Sequence, residues 1–468
     1  MKLQDHHHWP RAAAVVVATA LVGLTACTAN GGGPTATTTG SPPGSTTSAP
    51  APATTTTKPP ASNVTITMQY SMVPEAAHKV LEGYAAQYKA ETGVTVELSY
   101  VPWESQRTTT LSKIASGQTP DILHGNSNQG TAEFVEMGAM ADLTQLLSPQ
   151  LEADLVPTAF DELGKRAIPF LQSPEASIFY RPALFEAAGV TPPPPGKAWT
   201  WDEFTAAAQK LTKDTNGDGT PEQWGFSERG LAGFIAMKSY IPHLWARGAD
   251  IIVKDGDGWK SGLGSDNAKE AISSQIALVK DLKVMPPNYI TWGLPEAKRA
   301  WGDNKIAMLS VGMWWASSIQ TEFGDTFGKD YDVMPFPADP GNEFSFTTYD
   351  YFTIPTTSHQ KEEAYKFIEW IMLDPKRMAD LAVADFNLPP TTKSALADPR
   401  FSNQGYPLWS QRFAPWSAWS RFMPASSRYA GLWTGTVIPI WEEMVTGTRA
   451  VDDGLALMDS EVTKALGG

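Results

Sequence analysis

Hydrophobic residues recur with two different spacings near the start of the body of this chain. Every second residue from position 64 to position 70 is apolar, which is the pattern of a strand with one buried face. These residues are Val64, Ile66, Met68 and Tyr70. After Pro74, apolar positions from Val80 to Tyr88 follow helical spacing, and Gly93 supplies a stop. The pattern therefore predicts a strand followed by a helix that ends at Gly93.

The same order of elements repeats at once. A second strand is predicted over 94–98, a helix around 107–115 and a third strand over 121–124. Strand, helix, strand, helix, strand is typical of a doubly wound α/β sheet, in which ligands bind at the carboxyl ends of the strands. The residues near those ends form a candidate binding-site mouth: Tyr70, Trp103, Glu104, Asn126 and Ser127.

The second half of the chain has local signals of its own. A strand is predicted to begin at residue 177, and Thr200 and Glu203 have the spacing of a capping box at the start of an amphipathic helix. Apolar residues over 364–372 predict another helix. About 400 residues follow position 62, more than one hydrophobic core usually serves, so we expect two lobes.

The first 27 residues predict export and a lipid anchor. Lys2 and Arg11 flank an apolar run, over 12–26, that is too short to span a membrane and is typical of a secretion signal. Leu24-Thr25-Ala26-Cys27 resembles the lipobox of bacterial lipoproteins, which implies a signal peptide over 1–27 and a lipid on Cys27. The alternatives are an ordinary cleaved signal or an incidental cysteine. Residues 28–62, rich in Thr, Pro, Gly and Ser, predict a flexible linker.

Charge and cysteine content exclude several classes of function. The net charge of −14 argues against a nucleic-acid partner. Cys27 is the only cysteine, so the body has neither a disulfide nor a thiol nucleophile. The histidines of the body are scattered, with no spacing typical of a metal cluster or a catalytic triad. The residues themselves therefore indicate neither catalysis nor a cofactor.

One acidic loop resembles the first half of a calcium-binding loop. Asp214, Asn216 and Asp218 occupy ligand positions one, three and five, and Gly219 occupies position six. Position twelve holds a glycine instead of the bidentate glutamate, although Glu222 could substitute for it in part. The alternatives are a structural calcium site and a solvated turn.

Several short motifs, taken in their order along the chain, resemble the extracellular solute-binding proteins of carbohydrate-type ABC importers, known as family 1. The resemblance covers nearly all of residues 63–468. The motifs are Ala115-Ser116-Gly117 with Pro120-Asp121, Met137-Gly138-Ala139 with Asp142-Leu143-Thr144, Tyr180 with Leu184-Phe185 and Ala188-Gly189, the helix start Thr200-Trp201-Asp202-Glu203-Phe204, and Ala307-Met308 with Gly312 and Trp314. Residues 347–352 depart from the family pattern, so the resemblance does not give the ligand.

The resemblance implies an α/β fold of the two-lobed periplasmic-binding-protein class, type II, with the ligand in the crevice between the lobes. Residues 63–171 plus 348–388 would form the N-terminal lobe, and residues 172–347 plus 389–468 the C-terminal lobe. Chain crossovers are expected near 169–173, 344–349 and 387–390. Such proteins close on their ligand by hinge motion.

The resemblance also implies a function. We expect a monomeric, lipid-anchored protein on the extracytoplasmic face of the cell membrane. It would capture a small carbohydrate and deliver it to the transmembrane subunits of an ABC permease, without catalysis or a cofactor.

Aromatic residues supply the remaining site candidates. The chain has 17 tryptophans, and sugar rings stack on aromatic faces while their hydroxyls bond to polar side chains. The candidates in loops or at element ends are Trp314, Trp315, Tyr349, Asp350 and Tyr351, and the irregular stretch around 409–421 adds Trp416 and Arg421. For each of them the alternative is a structural role, in core packing, turn capping or the lobe surface.

Two other functions stay open. A polyol or glycerol phosphate ligand would need cationic donors in the crevice, for which Arg181, Arg412 and Arg421 are the candidates. An anchored glycoside hydrolase would need two carboxyl groups that meet in space, which a sequence does not reveal.

Overall fold

The structure is a computed structural model that describes residues 63–71, 74–230, 236–424 and 426–467. The predicted signal peptide, Cys27 and the linker lie outside the described residues. Within this part of the chain, no helix combines the length and the hydropathy that a membrane span needs.

The first sheet is built on the repeat predicted from the apolar pattern. Its strands are β1 (Thr65–Ser71), β2 (Thr95–Val101), β3 (Ile122–Asn126), β4 (Ile168–Glu175), β11 (Ser345–Thr353) and β12 (Ser420–Arg421). Strand β1 pairs in parallel with β2 and β3, whereas β11 pairs antiparallel with β3 and with β4. The predicted strands, the helices between them and the stop at Gly93, where φ is 81°, are confirmed.

The second sheet has the strand order β10-β5-β9-β6. Its strands are β5 (Ser177–Tyr180), β6 (Ser227–Glu228), β9 (Met308–Val311) and β10 (Asp332–Met334), and a separate hairpin consists of β7 (Ile252–Asp255) and β8 (Gly258–Ser261).

Helices cover both sheets. They are α1 (Glu75–Thr92), α2 (Gln106–Ser116), α3 (Thr131–Glu136), α4 (Pro149–Asp154), α5 (Pro182–Ala188), α6 (Trp201–Leu211), α7 (Met237–Ala246), α8 (Asp266–Lys280), α9 (Leu294–Gly302), α10 (Trp315–Phe323), α11 (Lys361–Met372), α12 (Pro375–Ala384), α13 (Lys393–Leu396), α14 (Ala414–Trp416), α15 (Ser427–Leu432), α16 (Ile438–Thr446) and α17 (Val451–Leu466). The capping box at α6 is confirmed, because Thr200 and Glu203 each accept a backbone N–H of the other.

Strand β1 is buried more completely than its alternation predicts. Gln69 and Ser71, on the face expected to be polar and exposed, are buried as well. Helix α2 covers this face, and the Lys113 ammonium donates to the Gln69 side-chain oxygen at 2.5 Å. A parallel strand with elements on both faces has no solvent side, and a pattern in one strand does not show what covers its second face.

The second sheet separates two large core clusters. Side chains alternate across a strand, so Phe179 and Leu309 pack into the cluster that also contains β1. Ile178 and Met308 face the other way, into the cluster formed around α6, α7 and α16. The lobe boundaries expected above stay a prediction.

The three segments expected to be crossovers lie side by side. Strand β4 pairs with β11 from Phe346↔Glu175 to Phe352↔Ile168. On the other edge of β4, the N–H of Gln172 donates to the carbonyl of Pro389 at 2.9 Å.

Trp315 tests the first core cluster. It is fully buried, with its ring edge-on to Trp301 at 6.4 Å between centroids. We expect Trp315→Ala to lower the free energy of unfolding by about 3–5 kcal/mol, because the remaining core cannot fill the cavity. Urea titration followed by circular dichroism measures this, with Trp314→Ala, at a half-buried neighbour, as the control. Equal losses in the two variants would contradict the placement of Trp315 in the core.

Candidate functional site

A cavity of about 250 Å³ opens where the carboxyl ends of β2 and β3 meet elements of the second sheet. One wall comes from the first sheet and from the segment after α12: Trp103, Glu104, Asn126, Asp350, Asp385, Phe386 and Leu388. The opposite wall comes from the end of β4, from α7 and from loops around the second sheet: Ser173, Glu175, Arg229, Lys238, Leu294 and Trp314.

The first wall carries two buried carboxyl groups. Asp350 is 5 % exposed and accepts a hydrogen bond from the side-chain amide of Asn126. Asp385 is 1 % exposed and accepts one from the Tyr70 hydroxyl at 2.6 Å. Burial, followed by the charge of Asp350, raises the pKa of Asp385 to about 7.

The register of β11 against β4 changes directly after Asp350. The pairing of β11 with β4 shifts between Asp350 and Tyr351, where Asp350 is opposite Leu171 and Tyr351 is opposite Pro169. Proline has no N–H to donate to a neighbouring strand, and such irregularities change the direction of a side chain at functional edges. This irregularity coincides with the one β11 residue that lines the cavity.

The second wall is organised around Glu175, which is 4 % exposed. Its carboxylate pairs with the Lys238 ammonium at 2.7 Å and accepts the indole N–H of Trp314 at 3.1 Å. Gly312 permits this arrangement, since a Cβ there would lie 2.0 Å from the Glu175 Oε2 and 2.5 Å from the Trp314 Nε1. Glu175, fixed by Lys238, thus holds the Trp314 ring in the cavity wall through this hydrogen bond.

Arg229 is the second cation that lines the cavity, beside Lys238. Its guanidinium lies 5.6 Å from the centre of the Trp314 ring, and its buried Nε has no hydrogen-bond partner among the described residues. Burial lowers the pKa of Arg229, whereas the carboxylates of Glu175 and Glu104 act in the opposite direction. An arginine keeps its charge under such conditions and offers a planar fork of donors.

Three aromatic side chains line the cavity: Trp103, Trp314 and Phe386. Trp103 lies near His124, with ring centres 6.3 Å apart, and Trp314 meets Phe386 edge-on at 6.4 Å. Apolar faces, carboxyl acceptors and a guanidinium are thus combined in one cavity, which suits a small polar ligand with apolar faces.

Comparison with known proteins identifies the family. The model of the bacterial extracellular solute-binding protein family matches residues 75–377, more than half of the chain. The chain belongs to this family. An uncharacterized lipoprotein in the oleD 5′ region of Streptomyces antibioticus is 28 % identical over 379 residues, which cover 74 % of this chain and 80 % of the relative.

Solved structures show the same fold. The solute-binding protein of an ABC transporter from Thermotoga lettingae TMO, bound with α-D-tagatose, matches 86 % of this chain and 100 % of its own with a TM-score of 0.70 at 20 % identity. The maltose-bound MalE3 of T. maritima matches 85 % of this chain and 99 % of its own with a TM-score of 0.70 at 20 % identity. The two-lobed, type II periplasmic-binding-protein fold is therefore confirmed, and these relatives are binding proteins.

In this solute-binding protein, five of the residues predicted from the sequence lie in the cavity wall. They are Trp103, Glu104, Asn126, Trp314 and Asp350. The first three follow parallel strands of the first sheet, as the rule for ligand sites in α/β sheets predicts.

The other seven predicted residues are not in the cavity lining. Tyr70 lies behind Asp385, and Trp315 and Trp416 pack in the first core cluster. The hydroxyls of Ser127 and Tyr351 both donate to Glu162, Tyr349 bonds to Thr158, and Arg421 pairs with Asp250 at 2.9 Å. Tyr70, Ser127, Tyr349, Tyr351 and Arg421 thus have polar partners in the structure, whereas the indole N–H groups of Trp315 and Trp416 have none among the described residues.

Eight lining residues were not predicted: Ser173, Glu175, Arg229, Lys238, Leu294, Asp385, Phe386 and Leu388. Some of them had a sequence signal. Ser173 lies in the expected crossover at 169–173, and residues 385–388 lie at or beside the one at 387–390. Polar residues near the crossovers were therefore candidates. Arg229 and Lys238 flank a stretch without clear periodicity, and no pattern in the sequence singles them out.

The candidate calcium loop is exposed. Oxygen atoms of Asp214, Asp218 and Glu222 lie within 4.8 Å of one another. Asp214 accepts the backbone N–H groups of Gly217 and Gly219 at 2.7 and 2.8 Å, and the Asn216 amide donates to Asp218 and Glu222. Internal hydrogen bonds thus already hold this turn, and the calcium site stays a prediction.

The raised pKa of Asp385 has a consequence for stability. A carboxyl that binds its proton more tightly in the folded state makes the free energy of unfolding fall as the pH rises, here from about 4 towards the folded pKa of about 7. We expect Asp385→Asn to flatten this fall.

Urea titrations at pH 5 and pH 7.5, without ligand, measure the effect. Asp257→Asn, at an exposed turn, is the control and should keep the wild-type pH dependence. A wild-type slope in Asp385→Asn would contradict the raised pKa.

Proposed function

We propose that this solute-binding protein captures a neutral sugar of one or two rings outside the cell and delivers it to an ABC permease. The observation that carries the proposal is the composition of the cavity. Trp103 and Trp314 offer apolar ring faces, and Asp350 offers an acceptor for hydroxyls. The guanidinium of Arg229, whose Nε has no hydrogen-bond partner among the described residues, offers donors. A sugar has apolar C–H faces that can stack on these rings and hydroxyl groups that can bond to the acceptor and the donors.

The size of the cavity supports a small ligand. Pockets for small molecules usually measure roughly 300–1,000 Å³, and this cavity of about 250 Å³ is slightly smaller. Two of the similar structures are bound to sugars of one or two rings, α-D-tagatose and maltose. A long oligosaccharide would require a wider crevice.

Charge disfavours a phosphate ligand. The cavity contains four carboxyl groups against two cations, and one of these cations, Lys238, is already paired with Glu175. The three arginines considered from the sequence are paired elsewhere, Arg181 with Asp325, Arg412 with Asp332 and Arg421 with Asp250. Glycerol phosphate or another polyol phosphate would therefore meet a net negative wall.

We further propose that the protein acts as a monomer without catalysis, held at the extracytoplasmic face of the membrane by a lipid on Cys27. The extracellular family and the lipoprotein relative support this location. The two carboxyl groups of the first wall are the observation that favours the alternative, a glycoside hydrolase. Whether a bound sugar is recovered intact separates the two functions.

A thermal-shift screen of the purified protein against mono-, di- and trisaccharides and polyol phosphates tests the proposal, with chromatography of each ligand afterwards. A ligand at 100 times its Kd stabilises the folded state by about 2.7 kcal/mol. We expect stabilisation by an intact neutral sugar. Conversion of the sugar would indicate an enzyme, and stabilisation by phosphates alone would contradict the sugar ligand.

Trp314 tests the sugar-binding wall. We expect Trp314→Ala to raise the Kd for the stabilising sugar about tenfold or more, which corresponds to about 1.4 kcal/mol, because a stacking face is lost. Isothermal titration calorimetry measures the Kd. Trp259→Ala, on the hairpin strand β8 and outside the cavity lining, is the matched control. An unchanged Kd in Trp314→Ala would place the ligand elsewhere.

Cys27 tests the anchor. We expect Cys27→Ala to move the protein from the membrane fraction to the medium of expressing cells, because lipid attachment needs the thiol. Immunoblots of both fractions measure the distribution. Retention of the variant in the membrane would show that a different feature anchors the chain.

A further inference from the structure

Two carboxyl groups from distant parts of the chain meet in the first wall of the cavity. Asp350 belongs to β11, and Asp385 follows α12. Both are almost completely buried, and both line the same cavity. The charge of Asp350 acts on Asp385 and raises its pKa.

Neither carboxyl has a lysine or arginine partner among the described residues. Asp350 accepts from the Asn126 amide and lies 3.7 Å from the His124 Nε2. Asp385 accepts from the Tyr70 hydroxyl through its Oδ2. Tyr70 is neutral, since burial and the adjacent Asp385 raise its pKa well above the usual value.

Other charged groups around the cavity do not compensate the pair. The charge of His124 from β3 and the hydrogen bond from Tyr70 favour the ionised form of Asp385, but burial and the charge of Asp350 outweigh them. Across the cavity, Lys238 is paired with Glu175, and Arg229 lies over the Trp314 ring. Glu104, at the rim, adds a further negative charge.

If both carboxyl groups were ionised, their negative charges would repel each other. The repulsion would grow when a ligand displaces the water that screens it. Burial and a like charge both favour the neutral form of one member of such a pair. Asp350, which has the amide donor and the nearby histidine, is better suited to the charge. Asp385 has one oxygen that does not accept from Tyr70, and this oxygen can carry a proton.

We propose that the pair carries one proton in weakly acidic solution, held on Asp385, whose neutral carboxyl donates a hydrogen bond to the ligand while Asp350 accepts one. The ligand half of this inference rests on the proposed sugar-binding function. A carboxylate only accepts hydrogen bonds, so a protonated Asp385 allows this wall to bind a ring or glycosidic oxygen. Asp385 then determines specificity.

The proton itself can be tested without a ligand. Infrared spectroscopy of protein labelled with ¹³C at the aspartate carboxyls distinguishes protonated from ionised groups. We expect a protonated-aspartate band in the wild type at pH 6 that disappears with a midpoint near 7 and is absent from Asp385→Asn. In Asp350→Asn the midpoint should fall by about one pH unit or more, because the like charge is gone.

Absence of the band in the wild type at pH 6 would overturn the proposal. So would a midpoint that Asp350→Asn leaves unchanged. Circular dichroism and urea titration establish that both variants fold, and the exposed variant Asp257→Asn should retain the wild-type spectrum.

The ligand half is tested by isothermal titration with D-tagatose and with maltose at pH 6, 7 and 8. We expect the wild-type Kd to rise up to tenfold between pH 7 and 8, and the Kd of Asp385→Asn, whose amide always donates, to stay constant. Asp350→Asn should raise the Kd at least tenfold at every pH.

A pH dependence that persists in Asp385→Asn would assign the proton to another group, such as His124, and would overturn the donor role. If neither sugar binds while the infrared band behaves as expected, the proposed function fails for these ligands and the proton on Asp385 stands. The two failures are therefore distinguishable.

Discussion

The antiparallel pairing of β4 with β11 is the constraint on which both the fold and the cavity depend. These strands run together over most of their length, and residues 389–391 follow the other edge of β4. Because hydrogen bonds fix the register of adjacent strands, the pairing places Glu175 at one wall and Asp350 at the other. The irregularity after Asp350 adjusts the pairing at the position where a side chain reaches the cavity.

Electrostatic compensation differs between the two walls. On the second wall, Glu175 is buried but paired with Lys238 and bonded to Trp314, and these partners offset part of its desolvation cost. On the first wall, Asp350 and Asp385 have neutral donors and one histidine. The buried carboxylate of the second wall thus has a cationic partner, whereas those of the first wall have none among the described residues. A ligand that fills the cavity would contact both.

Sequence patterns predicted the elements and part of the site. The alternation from Val64 to Tyr70 predicted β1, and the same pattern placed Trp103 and Asn126 at the mouth, where they are found. The prediction was less useful for adjacent aromatic residues, since Trp314 lines the cavity whereas Trp315 is fully buried. Both neighbours are tryptophans, and only the direction in which each side chain points distinguishes the cavity residue from the core residue.

The sequence by itself indicated the fold class, the family and four residues of the first wall, because apolar periodicity, short motifs and the carboxyl ends of parallel strands are local properties of the chain. Only the tertiary structure decided the partners of the charged groups. Asp385 meets Tyr70 across 315 positions, and Lys238 meets Glu175 across 63. Contacts at such separations depend on how the sheets pack, and packing leaves no periodic signal in either segment.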